Sequence, residues 1–282
     1  MTSIQHPRQS MASTVSRIVA AMVASGWCLA VSGWAMAFAP VLQDAERTHE
    51  WTQWRGPNRD GVWQGNVDSS PLPAEGLEVL WRAPIGSGYT GPTIADGRVF
   101  VMDRIRRPEQ EERVVCLNAK TGDQLWEHRY PCVYAGVGYE AGPRASVTID
   151  GQHAYSLGSM GHLNCLTVSG SVVWKRDLNQ EYGISTNDRM PIWGIAASPL
   201  IYQQLVIVQI GAGNGAGILA FDKRTGKEVW KCLDDRAQYS SPIIVQQCGR
   251  DVLVVWTGDS VAGIDPSTGD LFWRYPFPPR NM

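Results

Sequence analysis

The chain has 282 residues, of which 44% are hydrophobic and 18% charged, so it is long enough to bury a sizeable core. Its formal net charge of −2, with no basic stripe, gives no electrostatic reason to expect nucleic acid as a partner. The 29 glycines, 17 prolines and 12 tryptophans favour β-structure with tight turns.

The first 39 residues predict a signal peptide. Arg8 and Arg17 precede an uncharged stretch, residues 18–39, which ends in small-x-small patterns around Ala37. An uncleaved anchor is the alternative, because an uncharged stretch of this length can span a bilayer. In either case we expect an exported protein of the periplasm or cell envelope, which contacts the membrane only through this segment if it is uncleaved. Five cysteines follow it without CxxC spacing, so an odd number is left and a disulfide framework is not expected.

After an N-terminal extension, residues 40–76, a repeat fills residues 77–282. Its units end in Trp81, Trp126, Trp174, Trp230 and Trp273, at separations of 45, 48, 56 and 43 residues. A Gly-Pro or Ser-Pro pair recurs in step at positions 91–92, 142–143, 198–199 and 241–242. The first unit, Leu77 to Trp81, is only a partial copy. Two landmarks of similar period indicate four full units and one leading strand.

Each full unit is predicted to form four short strands, because apolar runs alternate with turns such as Asp96-Gly97. Four antiparallel strands at this period are typical of a propeller blade. In the Asp-x-x-Thr-Gly turns, Asp222 and Asp265 are predicted to form Asx turns, and each final tryptophan to bury its ring between neighbouring blades. A small-residue position ten before the tryptophan contains Cys116, and Cys165 lies nine before its own, so both are expected to be buried and unreactive.

Two polar groups are interpreted without a functional role. The charged residues between Asp103 and Arg113 are expected to form a solvated insertion between two strands. His128, His153 and His162 fall in or beside the predicted turns and have no spacing that indicates a metal site, so no metal ligands are predicted.

Gly211 to Ala216 matches a dinucleotide fingerprint, but a strand rather than a helix follows, so we interpret this stretch as a loop.

The repeat resembles that of the PQQ-like, quinoprotein-type β-propeller superfamily, whose blades end in Ala-x-Asp-x-x-Thr-Gly-x-x-x-Trp. Ala220 to Trp230 matches every defined position, and Gly263 to Trp273 differs only in its first residue. Residues 51–63, WTQWRGPNRDGVW, further resemble a group of exported bacterial members. The resemblance implies an all-β propeller. Members include PQQ-dependent dehydrogenases, a scaffold lipoprotein of outer-membrane assembly, and sensor regions of membrane kinases.

The number of repeats is smaller than the resemblance implies. Propellers of this superfamily close with about eight blades, so we expect about four to five blades in this chain and an incomplete ring. A truncated product explains this count, and an unusually small closed ring or pairing with another copy are the alternatives.

Catalysis is not favoured by the residues. A PQQ dehydrogenase needs Ca²⁺, oxygen ligands and a catalytic carboxylate, and the sequence shows neither a carboxylate cluster nor an adjacent cysteine pair. No catalytic residue and no cofactor is therefore predicted, and PQQ with Ca²⁺ is what the enzyme alternative requires. The function predicted is a non-catalytic exported binding or scaffold protein with a protein or peptide partner in the cell envelope. The alternatives are a PQQ-dependent dehydrogenase and the sensor part of a larger envelope assembly.

One set of residues is a candidate binding site. The loops that lead into the blades carry aromatic and charged side chains, and in a propeller these loops surround one mouth of the central channel. The candidates are Tyr89, Tyr139, Glu140, Arg144, Trp193 and Tyr239. Aromatic residues with one arginine and one glutamate suit a ligand or peptide surface, and packing between blades is the other interpretation.

Overall fold

The computed structural model describes residues 50–63, 65, 70–139 and 141–277. The predicted signal peptide and Glu140 lie outside these residues. The described chain forms four antiparallel sheets of four strands each, and within each sheet the strands are neighbours in chain order. Each sheet is one blade of a β-propeller, which confirms the predicted fold class with four blades. No helix in the described part of the chain is long and apolar enough to cross a membrane.

The sixteen strands divide evenly among the blades, and one short helix follows the second blade. Blade 1 contains β1 (Thr93–Ala95), β2 (Arg98–Ile105), β3 (Glu111–Asn118) and β4 (Gln124–Pro131). Blade 2 contains β5 (Thr148–Asp150), β6 (His153–Leu157), β7 (His162–Thr167) and β8 (Val172–Asp177), and α1 (Leu178–Tyr182) follows. Blade 3 contains β9 (Leu200–Tyr202), β10 (Leu205–Gln209), β11 (Ile218–Asp222) and β12 (Glu228–Cys232). Blade 4 contains β13 (Ile243–Gln247), β14 (Arg250–Trp256), β15 (Ser260–Ile264) and β16 (Leu271–Pro276).

Three of the five repeat tryptophans, those that end blades 1 to 3, dock their blade onto the next one. The indole Nε1 donates to a main-chain carbonyl of the following blade, from Trp126 to Val168 (3.0 Å), from Trp174 to Lys223 (3.1 Å) and from Trp230 to Pro266 (3.2 Å). The ring lies against the turn glycine of that blade, which is Gly170, Gly226 or Gly269. Trp273 differs, because its Nε1 donates to Gln247 Oε1 of its own sheet at 2.9 Å.

The partial copy at the start of the repeat keeps this docking without forming a strand. Trp81 donates to the carbonyl of Ala119 at 3.0 Å, and its ring lies against Gly122. Residues 77–81 nevertheless belong to none of the four sheets. The predicted leading strand is therefore wrong for the described chain, because a strand is defined by hydrogen bonds to a neighbouring strand and each sheet is complete without this segment.

The turns and the small-residue position agree with the sequence. Asp222 Oδ1 accepts from the main-chain N–H of Thr225 at 2.8 Å, and Asp265 Oδ1 accepts from that of Ser267 at 2.8 Å. Cys116 and Cys165 are completely buried, and burial raises the pKa of each thiol to about 11. They are therefore protonated at neutral pH and unreactive. All five cysteines of the described chain are free.

The predicted solvated insertion between Asp103 and Arg113 is shorter than expected, because only residues 106–109 are exposed and both ends of the segment are strand. Strand β2 continues to Ile105 and β3 begins at Glu111, so only residues 106–110 connect them. Asp103 and Arg113 lie opposite each other across the two strands, and Arg113 Nε donates to Asp103 Oδ1 at 2.8 Å. Because the buried charges pair across the sheet, polar residues extend the strands here.

The landmark of the second blade also requires correction. The structure places Ser146, not Gly142, at the position two residues before the first strand, which Ser198 and Ser241 occupy in the next two blades. The N–H of Ser146 donates to Ser198 Oγ at 2.9 Å, and the N–H of Ser198 donates to Ser241 Oγ at 2.8 Å. This chain of hydrogen bonds links the leading loops of successive blades, so the serine is the feature that recurs in space.

Part of the predicted N-terminal extension packs across the first strands of the blades. Trp51 forms a bridge with Ile94 of blade 1, and the carbonyl of Thr52 accepts from Ile149 of blade 2 at 2.8 Å. Buried Arg59 reaches blades 3 and 4, whose carbonyls at Pro199 and Pro242 accept its guanidinium hydrogens. The first strands of neighbouring blades line the channel of a propeller, so this segment connects all four blades from within.

Candidate functional site

A cavity of about 430 Å³ lies where the leading loops of the blades converge, and we call it the mouth cavity. Its lining residues are Trp54, Tyr89, Tyr139, Arg144, Trp193, Ala196, Tyr239 and Ser241. Every described residue of the predicted binding set is among them, and each blade contributes at least one from the loop ahead of its first strand. Glu140 belongs to the predicted set and lies outside the described residues.

The aromatic side chains of the mouth cavity contact one another across blade boundaries. Trp193 stacks on Tyr239 with ring centroids 4.9 Å apart, and Tyr139 meets the edge of Trp193 at 6.1 Å and an interplanar angle of 85°. The main-chain N–H of Trp193 donates to the Tyr239 hydroxyl at 3.3 Å. These contacts hold the rings in position without burying them, because Tyr139 is 74% exposed and Trp193 is 42% exposed. Packing between blades therefore accounts for only part of their surface.

Arg144 supplies the positive charge of the cavity. Its guanidinium carbon lies 4.4 Å from the centroid of the Tyr89 ring, a cation–π geometry, and Nη2 donates to the carbonyl of Tyr139 at 3.3 Å. Nη1 is buried and has no hydrogen-bond partner among the residues that the structure describes. A buried donor of this kind is normally paired, so Nη1 of Arg144 can donate a hydrogen bond to an acceptor that enters the cavity.

The titratable groups of the cavity do not form an acid–base pair. The described lining residues include no carboxylate, histidine or cysteine. Burial raises the pKa of the Tyr239 hydroxyl, which therefore stays protonated at neutral pH. Ca²⁺ takes six to eight oxygen ligands, mostly carboxylates and carbonyls, and the described side chains here offer three phenols and one serine hydroxyl. The set fits an apolar or aromatic ligand better than a Ca²⁺–quinone pair.

Sequence reasoning missed Trp54, which the N-terminal segment delivers to the cavity. This segment is the part of the chain, WTQWRGPNRDGVW, that carried the resemblance to exported members of the superfamily. Arg59 fixes the segment because its Nε donates to Gln53 Oε1 at 2.7 Å, next to Trp54, while its other hydrogens reach blades 3 and 4. The density of tryptophans in this motif was the available signal.

Comparison with known protein families shows which family the chain belongs to. The family model described as outer membrane protein assembly factor BamB matches residues 72–131 and 110–282, which together cover most of the chain. The chain belongs to this family. No curated protein sequence gives a significant match to it.

Solved structures that match the chain include BamB and quinohemoprotein alcohol dehydrogenases. BamB from Moraxella catarrhalis is 17% identical, with a TM-score of 0.46, and the match covers 70% of this chain and 51% of that one. Quinohemoprotein alcohol dehydrogenase ADHIIG from Pseudomonas putida HK5 is 15% identical, with a TM-score of 0.47 and coverage of 69% and 35%. The quinohemoprotein alcohol dehydrogenase from Comamonas testosteroni is 14% identical, with a TM-score of 0.43 and coverage of 84% and 50%. This BamB-family chain spans about half the length of these structures or less.

Proposed function

We propose that this chain is an exported, non-catalytic binding or scaffold protein whose mouth cavity holds a protein or peptide partner of the cell envelope. The observation that carries the proposal is the cavity itself, in which five aromatic side chains surround Arg144. Tyrosine, tryptophan and arginine are the residue types that contribute most binding energy in protein interfaces. Here the four blades and the N-terminal segment contribute them, and Tyr89, Tyr139 and Trp193 are exposed.

The cavity also indicates the chemistry of its partner. The stacked Trp193 and Tyr239 rings offer a rigid apolar wall, and rigid rings lose little conformational entropy when they bind. The unpaired Nη1 of Arg144 needs an oxygen acceptor, such as a main-chain carbonyl or a carboxylate. We therefore infer a peptide segment that inserts an apolar or aromatic side chain beside an acceptor oxygen.

Two further observations support an envelope role without a cofactor. The basic-then-apolar leader is typical of an exported chain, and the family is described as an outer membrane assembly factor. The described cavity lacks the carboxylate that PQQ-dependent oxidation requires as a base. Incubating the full chain with PQQ and Ca²⁺ and following reduction of an electron-accepting dye tests this part. Sustained turnover with an alcohol or sugar would contradict the non-catalytic role.

The binding role is tested with an array of short peptides that each contain one aromatic residue, presented to the full chain. We expect a subset to bind, and Trp193→Ala to weaken these peptides by about 30-fold, which corresponds to about 2 kcal/mol for a tryptophan hot spot. Trp256→Ala is the matched control, because this tryptophan is 47% exposed on blade 4 and lies outside the mouth cavity. Equal affinities for the wild type and Trp193→Ala, or equal losses in both variants, would refute the proposal.

A further inference from the structure

A second group of chemically active side chains lies where blade 1 meets blade 2. Glu112 of β3, Cys132 just after β4 and His162 at the start of β7 each contribute one potential ligand atom. The three atoms lie within 4.8 Å of one another, and Cys132 Sγ is 3.8 Å from His162 Nδ1. We call this group the interblade cluster. It is separate from the mouth cavity and has no part in the proposed function.

The Glu112 carboxylate is buried and held in place by hydrogen bonds. Its Oε2 accepts from the Tyr130 hydroxyl at 2.7 Å, and its Oε1 accepts from the N–H of Ser159 at 3.0 Å and from the Tyr134 hydroxyl. An ionised carboxylate has about four acceptor positions. Three are used by these donors, and the Cys132 S–H is also hydrogen-bonded to this carboxylate, so a cation that displaces the thiol proton would take that position.

His162 has the environment of a metal-binding imidazole. Its Nδ1 faces Cys132, whereas its Nε2 lies 3.8 Å from Asp177 Oδ2. Asp177 is itself fixed, because its Oδ1 accepts from the N–H of Gln180 and caps α1. Metal-binding histidines commonly direct their second nitrogen to such a carboxylate. The His162 side chain is 24% exposed, which leaves an access path from solvent.

We propose that Glu112, Cys132 and His162 bind one transition-metal ion, and Zn²⁺ matches the donor set best. Zinc combines thiolate, imidazole and carboxylate ligands, whereas Ca²⁺ and Mg²⁺ take oxygen only. In a tetrahedral zinc site the ligand atoms are about 3.5 Å apart. Cys132 and His162 already have nearly this separation, and the widest pair must approach by about 1 Å. A water molecule would complete the fourth position.

The cluster was not predicted because its residues have no local spacing. His162 was interpreted as a solvated turn residue, and no metal was expected. In the structure His162 begins β7, next to Tyr130, with ring centroids 5.0 Å apart.

The Cys132 thiol must lose its proton to bind the ion. Burial, followed by the charge of Glu112, raises the pKa of this thiol, so the thiol is protonated at neutral pH and a bound ion displaces that proton to solvent.

The test uses the full chain with Co²⁺ alone, followed by Zn²⁺. We expect one Co²⁺ per chain with a thiolate-to-cobalt charge-transfer band, and loss of this band when Zn²⁺ displaces it. Cys132→Ser should abolish the band. His162→Gln should weaken Co²⁺ binding at least tenfold, and Asp177→Asn about tenfold, the size expected for an outer partner of a ligand. His153→Gln and Cys248→Ser are the matched controls and should bind Co²⁺ as the wild type does.

Circular dichroism spectra and thermal melts establish that each variant is folded. His162→Gln keeps the test valid if Cys132→Ser does not fold, because His162 is partly exposed. The absence of a charge-transfer band in the wild type would overturn the proposal, and so would its persistence in folded Cys132→Ser. Loss of the band in Cys248→Ser would assign the ion to a different thiol and would equally refute the site.

Discussion

Gly226→Ala tests whether the interblade docking of tryptophan depends on the glycine of the Thr-Gly turn. Gly226 has a φ of +71°, and a Cβ at this position would lie 2.7 Å from the Trp174 ring. The ring would have to leave the turn, although its Nε1 donates to the carbonyl of Lys223. Gly97 is the matched control, because its φ is +68° and a Cβ there meets nothing within 4 Å.

The expected losses in the free energy of unfolding follow from the surroundings of these two glycines. Placing a Cβ in the left-handed region costs about 1 kcal/mol in either turn. At Gly226 the variant also loses the Trp174 hydrogen bond, about 1 kcal/mol, and about 50 Å² of buried apolar surface, about 1 kcal/mol. We therefore expect the free energy of unfolding to fall by about 3 kcal/mol in Gly226→Ala and by about 1 kcal/mol in Gly97→Ala.

Urea unfolding followed by far-ultraviolet circular dichroism measures these losses without relying on tryptophan fluorescence. A double-mutant cycle with Trp174→Ala isolates the ring: without it, Gly226→Ala should cost only about 1 kcal/mol, as in the open turn. Equal losses in Gly226→Ala and Gly97→Ala would refute the docking argument. A loss of about 3 kcal/mol that persists in the Trp174→Ala background would show that the strain lies elsewhere.

Two further predictions concern the N-terminal segment and the Asx turns. Arg59→Met should lower the free energy of unfolding by about 2 kcal/mol, because the buried carbonyls of Pro199 and Pro242 lose a charged donor. Arg55 is exposed, so Arg55→Met should have little effect in the same urea titration. Similar values for the two variants would contradict the internal role of the segment. Hydrogen bonds from Thr225 lower the pKa of Asp222, so its carboxylate stabilises the fold above the unfolded-state pKa of about 4, and this contribution is lost as the pH falls through the lower folded value. The stability difference between wild type and Asp222→Asn should therefore shrink as the pH falls toward 3, whereas a constant difference would refute the role of the charge.

The blades could be derived from the sequence because their determinants are local and repeated. The Thr-Gly turn needs a left-handed residue, and the aspartate of that turn accepts hydrogen bonds from residues two and three positions further along. The spacing from this turn to Trp230 is short, so the docking residue falls at a constant place in every full unit. Likewise the loops carrying Tyr89, Tyr139, Trp193 and Tyr239 precede equivalent strands, which is why their convergence was predictable.

The errors arose where partners are distant in the chain. Asp103 and Arg113 resemble a solvated loop until their charges are seen to pair across two strands. Leu77 to Trp81 resembles a strand, but no neighbouring strand pairs with it among the described residues. Ser146 replaced Gly142 as the true landmark because its hydrogen bond is to the next blade, a contact that no spacing within one unit reveals.

By itself, the sequence determined the repeat, the blade architecture, the docking tryptophans and the membership of four loops in one mouth. Only the tertiary structure placed Trp54 in the mouth cavity, buried Arg59 between two blades and brought Glu112, Cys132 and His162 within 4.8 Å of one another. The physical reason is that periodic hydrogen bonds and turns are specified by neighbouring residues. A cavity or a cluster instead depends on side chains that become neighbours only after separate blades have packed together.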